Sequence, residues 1–334
     1  MKPIIGILLG EAAGIGPEIV AKMCERNRFE SYCRPLLIGD VRVLKQGMKI
    51  AGAKFPINIV ENESRIDWSD NISIIDMKNL DPETIELAKV DAESGHATGE
   101  AILTALNLCK IGIIEGFVYA PFNKASLKCG GFDFESEINL MAHFLEWKGV
   151  YGEMNVVNDL WTSRATSHIP FKNVSSHLTI EVLIEAIRLA YSTLRRAGYD
   201  NPRIAVAALN PHAGENGLCG NEEIDVIIPA INRAKAEGIN AMGPHPADTI
   251  FINAFKGIYD AVTTLYHDQG QIALKLMNFR MGVTVSAGFP YVITTPAHGT
   301  AFDIAGKGIA SIEPMEKAVM LASKMARWKS KVGL

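Results

Sequence analysis

Short apolar runs alternate along this chain with longer stretches whose apolar residues recur every three to four positions. The first pattern suits strands buried on both faces and the second suits amphipathic helices. Their alternation predicts an α/β protein with a largely parallel sheet. Strands are predicted over 4–9, 35–38, 72–75, 116–119, 154–157, 203–209, 261–265 and 282–286. Helices are predicted over 16–26, 95–115, 137–147, 179–196, 221–237, 249–256 and 313–329. Between 95 and 115, Ile102, Ala105, Leu106, Cys109 and Ile113 share one helical face, which reads as core. No repeat, low-complexity tract or long Pro/Gly/Ser linker interrupts the pattern. Two domains that share a sheet, or cross over more than once, fit that continuity better than beads on a string.

Length supports two domains, since 334 residues exceed what one simple core serves. The net charge of −4 gives no basic field, which argues against a nucleic-acid partner. The first apolar stretch meets Glu11 at once, so it reads as a buried strand and not as a targeting segment. No run reaches the length of a membrane helix. The five cysteines (Cys24, Cys33, Cys109, Cys129 and Cys219) are odd in number and lack CxxC spacing. They are expected to be reduced, mostly buried thiols of a cytoplasmic protein, none in an activating context.

Chemistry concentrates in polar, Gly/Pro-flanked segments. Three of the eight histidines lie in such places: His168 in Ser167-His168-Ile169-Pro170, His212 in Asn210-Pro211-His212-Ala213-Gly214-Glu215, and His267 in Tyr266-His267-Asp268-Gln269-Gly270. One histidine in a loop is more often structural than a ligand. Three in similar contexts, two directly after apolar runs, point to a divalent metal with open coordination positions. Asp268 and Glu215 are candidates to orient the imidazoles. His96, His143 and His177 lack such contexts and read as surface or core residues.

Other segments divide between functional and plain readings. Gly10-Glu11-Ala12-Ala13-Gly14-Ile15-Gly16-Pro17-Glu18 matches neither GxGxxG nor a P-loop. It reads as a tight strand-to-helix turn or as backbone approach to a ligand at a strand's carboxyl end. Tyr119-Ala120-Pro121-Phe122-Asn123-Lys124 ends a strand in an amide and a cation, where a solvated loop lysine is the plain alternative. In Gly243-Pro244-His245-Pro246-Ala247-Asp248-Thr249, Asp248 reads both as a helix N-cap and as a carboxylate near the metal. The glycine-rich stretch 297–310 reads by itself only as a surface loop.

Taken in order, these segments resemble the 4-hydroxythreonine-4-phosphate dehydrogenase family over nearly the whole chain. The resemblance rests on the segment from Gly10 to Glu18, the His212 and His267 segments, Pro246-Ala247-Asp248-Thr249, and His298-Gly299-Thr300-Ala301-Phe302-Asp303-Ile304-Ala305-Gly306-Lys307-Gly308. The last segment is also similar to the adenine-side NAD loop of isopropylmalate dehydrogenases. The resemblance implies an isocitrate/isopropylmalate-dehydrogenase-like α/β fold, with two α/β domains around a cleft. It puts a discontinuous cofactor-side domain at 1–128 plus 297–334, and a central domain with metal site and dimer interface at 129–296. It implies a homodimer whose His168, His212 and His267 hold a divalent metal (Zn, Mn, Co or Mg) shared across the interface. NAD or NADP would contact Gly14, Gly16, His298, Gly299, Thr300, Asp303 and Ile304. The implied reaction, similar to that of pyridoxine biosynthesis, oxidises the secondary alcohol of a hydroxy acid and then releases carbon dioxide. A metal that lowers the hydroxyl pKa and stabilises the resulting enolate fits that chemistry. Asp248, near the metal, and Lys275, as a substrate-anion contact, are its polar helpers.

The departures from the family fall at the substrate. Gly10-Glu11-Ala12 stands for Gly-Asp-Pro, and Glu137-Ile138 for a substrate-binding His-Thr pair. Thr284 and Ile293 stand for the phosphate-side asparagine and arginine, while Lys275 keeps the lysine. An arginine fork is the natural bidentate phosphate holder, so an isoleucine there and a carboxylate at Glu137 work against a phosphate. The expectation is a dehydrogenase with a changed substrate end, for a plain hydroxy acid or a cis-dihydrodiol carboxylate. A metal-dependent hydrolase or lyase is the rival reading, which leaves the stretch from His298 to Gly308 unexplained. An acyl-phosphate transferase or a non-catalytic binding protein would not require three histidines.

Overall fold

The computed structural model describes residues 2–61, 66, 72–277 and 281–332. Its contacts divide the chain into an outer unit, 1–148 with 289–334, and a central unit, 149–288. The sequence boundaries at 128/129 and 296/297 thus move to 148/149 and 288/289. The short helices after Lys124 and the strand after Tyr291 pack on outer-unit elements, which is what shifts them.

In chain order, the outer unit begins with β1 (Ile4–Leu8), α1 (Gly16–Glu25), β2 (Arg34–Gly39), α2 (Val41–Ala51), β3 (Ile57–Val60) and β4 (Ile72–Asp76). It continues with α3 (Ala92–Lys110), β5 (Gly116–Tyr119), α4 (Lys124–Cys129) and α5 (Glu137–Phe144). The central unit holds β6 (Gly152–Val157), β7 (Leu160–Arg164), α6 (Val174–His177), α7 (Ile180–Arg196), β8 (Ile204–Ala207) and α8 (Ile228–Ala236). It closes with β9 (Ala241–His245), α9 (Ala247–Ala254), β10 (Ala261–Thr264), α10 (His267–Leu276) and β11 (Val283–Ala287). The chain then returns to the outer unit as β12 (Val292–Pro296) and α11 (Glu313–Val332).

The outer strands run β3-β4-β2-β1-β5-β12, every pair parallel. Leu36, Ile38, Phe117 and Ile293 from this sheet pack with Ile102, Leu106 and Met141 from its helices. The central strands run β11-β6-β7-β10-β8-β9. There β6 is antiparallel to both neighbours, and the remaining pairs are parallel. Ala205, Ala207, Ile250, Phe251 and Val262 form a core beneath α9.

The periodic segments became the elements they predict, with ends set by specific hydrogen bonds. Helix α3 starts at Ala92, three residues before the expected Gly95, because Asp91 caps it and accepts from Ser94 N–H at 2.7 Å. Its stripe is core as expected, with Ile102, Ala105, Leu106 and Cys109 buried. Strand β8 stops at Ala207, before the expected Leu209, because the N–H groups of Leu209 and Asn210 donate to the Glu223 carboxylate instead of a ladder. Asp248 is not an N-cap: α9 begins after Pro246, and Asp248 is exposed in its first turn without a capping bond. Strands β7 and β12 escape the pattern because polar residues, Thr162-Ser163-Arg164 and Thr294-Thr295, cut their apolar runs short. Burial is tolerated at Thr294 and Thr295 because their hydroxyls donate to the carbonyls of Ala318 and Tyr119, both at 2.9 Å.

The cysteines are free, with Cys24, Cys33 and Cys109 buried, Cys219 half-buried and Cys129 exposed. Burial pushes the Cys33 thiol up to about 12, consistent with an inert group. Among the described residues, no helix is long and apolar enough to cross a membrane.

Candidate active site

In the central unit, β7 and β10 lie side by side and parallel, with Thr264 opposite Arg164. Pairing continues past both strands, since Ala165 N–H donates to Thr264 O and Thr166 N–H to Leu265 O. The segments leaving them therefore start from one edge. They deliver His168 and His267 with ring centroids 5.4 Å apart. His267 opens α10, and its Nδ1–H donates to Asp268 Oδ1 at 2.7 Å. That bond fixes the tautomer and leaves Nε2 with its lone pair available.

His212 does not join this pair. It begins a turn in which six successive residues, from His212 to Gly217, have positive φ. Each non-glycine residue in that region costs about 1–2 kcal/mol, so the turn must be held from outside. Glu223, only 2% exposed, accepts from the N–H groups of Leu209 and Asn210 and from Asn210 Nδ2. Glu222 accepts from Asn210 Nδ2 and from Ser175 Oγ. Gly214 has φ +79, and a Cβ there would come within 2.6 Å of Glu223 Oε2. His212 itself lies 3.6 Å from Glu215 Oε1. Among the described residues, no three His, Cys, Asp or Glu side chains converge as a metal cluster. The donor chemistry of the facing imidazoles still fits a divalent metal that takes further ligands from elsewhere.

His267, Gln271 and Lys275 follow at i, i+4 and i+8 along α10 and so share one face. That face meets polar positions of the central sheet. Gln271 Nε2 donates to Asn155 Oδ1 at 2.6 Å, and Arg164 Nη1 donates to the same oxygen at 3.3 Å. Asn155 Nδ2 donates to Thr284 Oγ1 at 3.0 Å, and Arg164 Nη2 to Glu153 Oε2 at 2.7 Å. Burial pulls the Arg164 guanidinium below its ordinary value, and Glu153 opposes that pull. Sequence reasoning named only Thr284 of this network and missed the rest, as it missed Glu222 and Glu223. The signal available was alternation: Glu153 and Asn155, Thr162 and Arg164, and Thr284 and Ser286 are polar at period two on three adjoining strands.

The outer unit gathers the residues expected at the cofactor. Ile15 N–H donates to Thr300 O at 3.2 Å, so the Gly14–Gly16 turn and the stretch from His298 lie against each other. The end of that stretch is tied to α1: Lys22 Nζ donates to the carbonyls of Gly308 and Ala310, both at 2.9 Å, and Glu18 Oε1 accepts from Ala310 N–H. His298 and Ile304 are half-buried, and Gly299 and Asp303 are exposed.

The expected substrate positions divide between the units. Lys275 and Thr284 belong to the central unit, and Glu137, Ile138 and Ile293 to the outer one. Two of them need correction. Ile138 is 6% exposed and Ile293 is 0% exposed, both packed in the outer core, which removes them as ligand contacts. Glu137 is buried, 3.2 Å from Lys124 Nζ, with Tyr119 OH donating to its other oxygen at 3.4 Å. Lys124 is therefore an ion-pair partner, and Asn123 caps α4 by accepting from Ala125 and Ser126 N–H.

Glu11 is 0% exposed at the end of β1. Burial raises its carboxyl above the ordinary carboxylate range, while bonds from Asn123 N–H, Ser94 and Ser126 pull it back. Between the ordinary and the raised value the folded state holds more protons than the unfolded one. Stability therefore falls as pH rises through that window and levels off above it. Glu11→Gln should remove the loss. Its melting temperature relative to wild type is expected to climb as pH rises above the ordinary carboxylate range. An offset that does not change with pH in thermal denaturation would contradict this.

Comparison with known proteins adds the following. Residues 31–322 match the family described as "Pyridoxal phosphate biosynthetic protein PdxA". The 4-hydroxythreonine-4-phosphate dehydrogenase of Geobacter metallireducens is 37% identical over 99% of this chain and 98% of its own. The crystal structure of 4-hydroxythreonine-4-phosphate dehydrogenase from Klebsiella pneumoniae superposes with a TM-score of 0.86, at 34% identity and 98% coverage of both chains. A terephthalate 1,2-cis-dihydrodiol dehydrogenase from Burkholderia xenovorans LB400 follows at TM-score 0.68 and 26% identity, covering 97% of this chain and 98% of that one.

Proposed function

Because the chain belongs to the family of pyridoxal phosphate biosynthetic protein PdxA, we propose that it is a metal-dependent, NAD(P)-linked dehydrogenase. It oxidises a secondary alcohol of a hydroxy acid, with loss of carbon dioxide. The observation that carries this reading is the His168–His267 pair at the ends of two adjacent parallel strands, with Asp268 orienting His267. Strand ends are where α/β proteins place their chemistry.

His168 and His267 would hold the metal, with His212 from a second copy of the chain. The turn of His212 is held by hydrogen bonds and, among the described residues, completes no cluster with the pair, which suits a shared site. The central unit also leaves Leu218, Ile224 and Ile228 exposed soon after His212, and Ile272, Leu276 and Met277 on or beside α10. Such apolar surface suits a homodimer. When bound, the metal supplies Lewis acidity toward the substrate hydroxyl, and NAD or NADP takes up the electron pair.

The remaining work falls to protein side chains. Asp248 is an exposed carboxylate on α9, a helix that packs against the 211–217 turn, and is suited to accept the hydroxyl proton. Lys275 lies eight residues from His267, about 12 Å along the helix axis. That distance suits an anion at the far end of the substrate better than the reacting hydroxyl. NAD or NADP would bind at the exposed Gly299 and Asp303, with the buried Gly14–Gly16 turn supporting that stretch through Thr300.

The substrate end differs from the family's phosphate. Ile293 offers no donor, and Glu137 neutralises Lys124. A screen of plain and phosphorylated hydroxy acids, with NAD⁺ or NADP⁺ and added divalent metal, tests this by absorbance of the reduced cofactor. Metal-dependent reduction with a plain hydroxy acid is expected. Turnover of 4-hydroxythreonine 4-phosphate with kcat/KM on the order of 10⁴ M⁻¹s⁻¹ would overturn the substrate assignment. Hydrolysis without any cofactor reduction would overturn the reaction class.

A further inference from the structure

The central unit contains a polar cluster of which the resemblance assigns only Thr284. Strands β11, β6 and β7 stand in register, with Thr284 opposite Asn155 and Asn155 opposite Thr162. Their period-two positions put Glu153, Asn155, Arg164 and Thr284 on one face, and Gln271 of α10 closes over it. Gln271 lies one helical turn from His267 and one turn from Lys275, so the cluster sits between the metal-side and anion-side ends of α10.

Two observations set this cluster apart from ordinary internal packing. Among the described residues, the Gln271 side-chain oxygen is buried with no hydrogen-bond partner, and the residue is only 8% exposed. A buried acceptor left unmade is costly, so a donor is expected there. In addition, Arg164 has a side chain only 9% exposed, and its bonds to Glu153 and Asn155 occupy part of a five-donor fork. A buried guanidinium on a sheet face otherwise built of amides, hydroxyls and one carboxylate is an expensive feature.

We infer that Arg164 and Gln271 form a specificity subsite for a polyhydroxylated carboxylate, bound without a phosphate group. The inference deepens the dehydrogenase reading and rests on it. Arg164 donates to the substrate's anionic oxygen, a role that Ile293 cannot fill. Gln271 Oε1 accepts a substrate hydroxyl, and Glu153 and Thr284 offer further acceptors. The Glu153 carboxylate also sets the selectivity. It neutralises Arg164 enough that a singly charged carboxylate is held, while a dianionic phosphate meets repulsion.

Calorimetric titration of the Mn²⁺-loaded protein with D-threonate and with D-threonate 4-phosphate tests this without relying on turnover. Wild type should bind the plain acid more tightly than the phosphate ester. Arg164→Leu should weaken D-threonate binding by on the order of 10- to 100-fold, the range for a lost charge-assisted hydrogen bond, with Mn²⁺ affinity unchanged. Gln271→Met should weaken it less. Should Arg164→Leu fail to fold with Glu153 left unpaired, the double change Arg164→Leu with Glu153→Leu removes both charges and is expected to show the same loss. Equal or tighter binding of the phosphate ester by wild type overturns the proposal. So does D-threonate binding that is absent in wild type or unchanged in the variants. Absence of Mn²⁺ binding, by contrast, sinks the metal-dependent reading itself.

Discussion

Replacing His267 with alanine is expected to abolish metal-dependent turnover while leaving the fold intact. His267 is the better oriented of the two facing imidazoles, because Asp268 holds its Nδ1–H at 2.7 Å. Removing it takes away the proposed ligand and leaves that carboxylate without its partner. A Lewis-acid metal contributes several kcal/mol to such a reaction. At 1.36 kcal/mol per tenfold, its loss converts to a rate decrease on the order of 10³ or more. Metal affinity should fall alongside, while the melting temperature of the metal-free protein changes little, since His267 is a helix-opening residue more than a third exposed. Asp268→Asn should give a smaller loss, about 10- to 100-fold in metal affinity, as expected for an orienting partner. An alanine variant that keeps wild-type metal affinity would remove His267 from the site.

The largest expected effect on stability comes from Gly95→Ala. A Cβ at Gly95 would lie 1.8 Å from Ser126 O and 2.1 Å from Ser126 C. These are backbone atoms of α4, so no rotamer change relieves the overlap. The neighbouring bonds show what would be pried apart. Ser126 Oγ accepts from Asp91 N–H, and Ser94 Oγ accepts from Ala12 N–H. Moving α4 off α3 therefore disturbs the cap of α3 and the buried surroundings of Glu11 together. Overpacking of a closed contact costs about 3 kcal/mol. At about 2–4 °C per kcal/mol, that lowers the melting temperature by roughly 6–12 °C. Calorimetry on the purified variant decides it, and a change within about 1 °C of wild type would show that the two helices do not approach this closely.

The elements legible in the sequence were those with a strong local signature. Strand β5 was placed to the residue, because Gly116–Tyr119 is an uninterrupted apolar run. Helix α7 was legible because Thr179 caps it and its buried residues recur at helical spacing. His267 was legible as a residue just after the predicted 261–265 strand, whereas His168 followed no predicted strand and faces His267 only because β7 lies beside β10. Other features were hidden because their meaning depends on residues distant in sequence. Ile293 sits where a substrate contact is implied, yet the packing of β12 against β5 and α11 turns it into core. Glu137 reads as an added negative charge until Lys124, thirteen positions earlier, is found beside it.

The sequence by itself determined the fold class and the family, and marked the candidate segments, because periodicity, glycine turns and contiguous motifs are local properties of the chain. The tertiary structure decided which of those residues can act together. It paired His168 with His267, set His212 apart on a left-handed turn held by Glu222 and Glu223, and closed Ile138 and Ile293 into the core. It also assembled Arg164, Asn155, Thr284 and Gln271 from three strands and a helix. Strand order and register bring such positions within a few ångströms of one another, and no local pattern encodes those long-range choices.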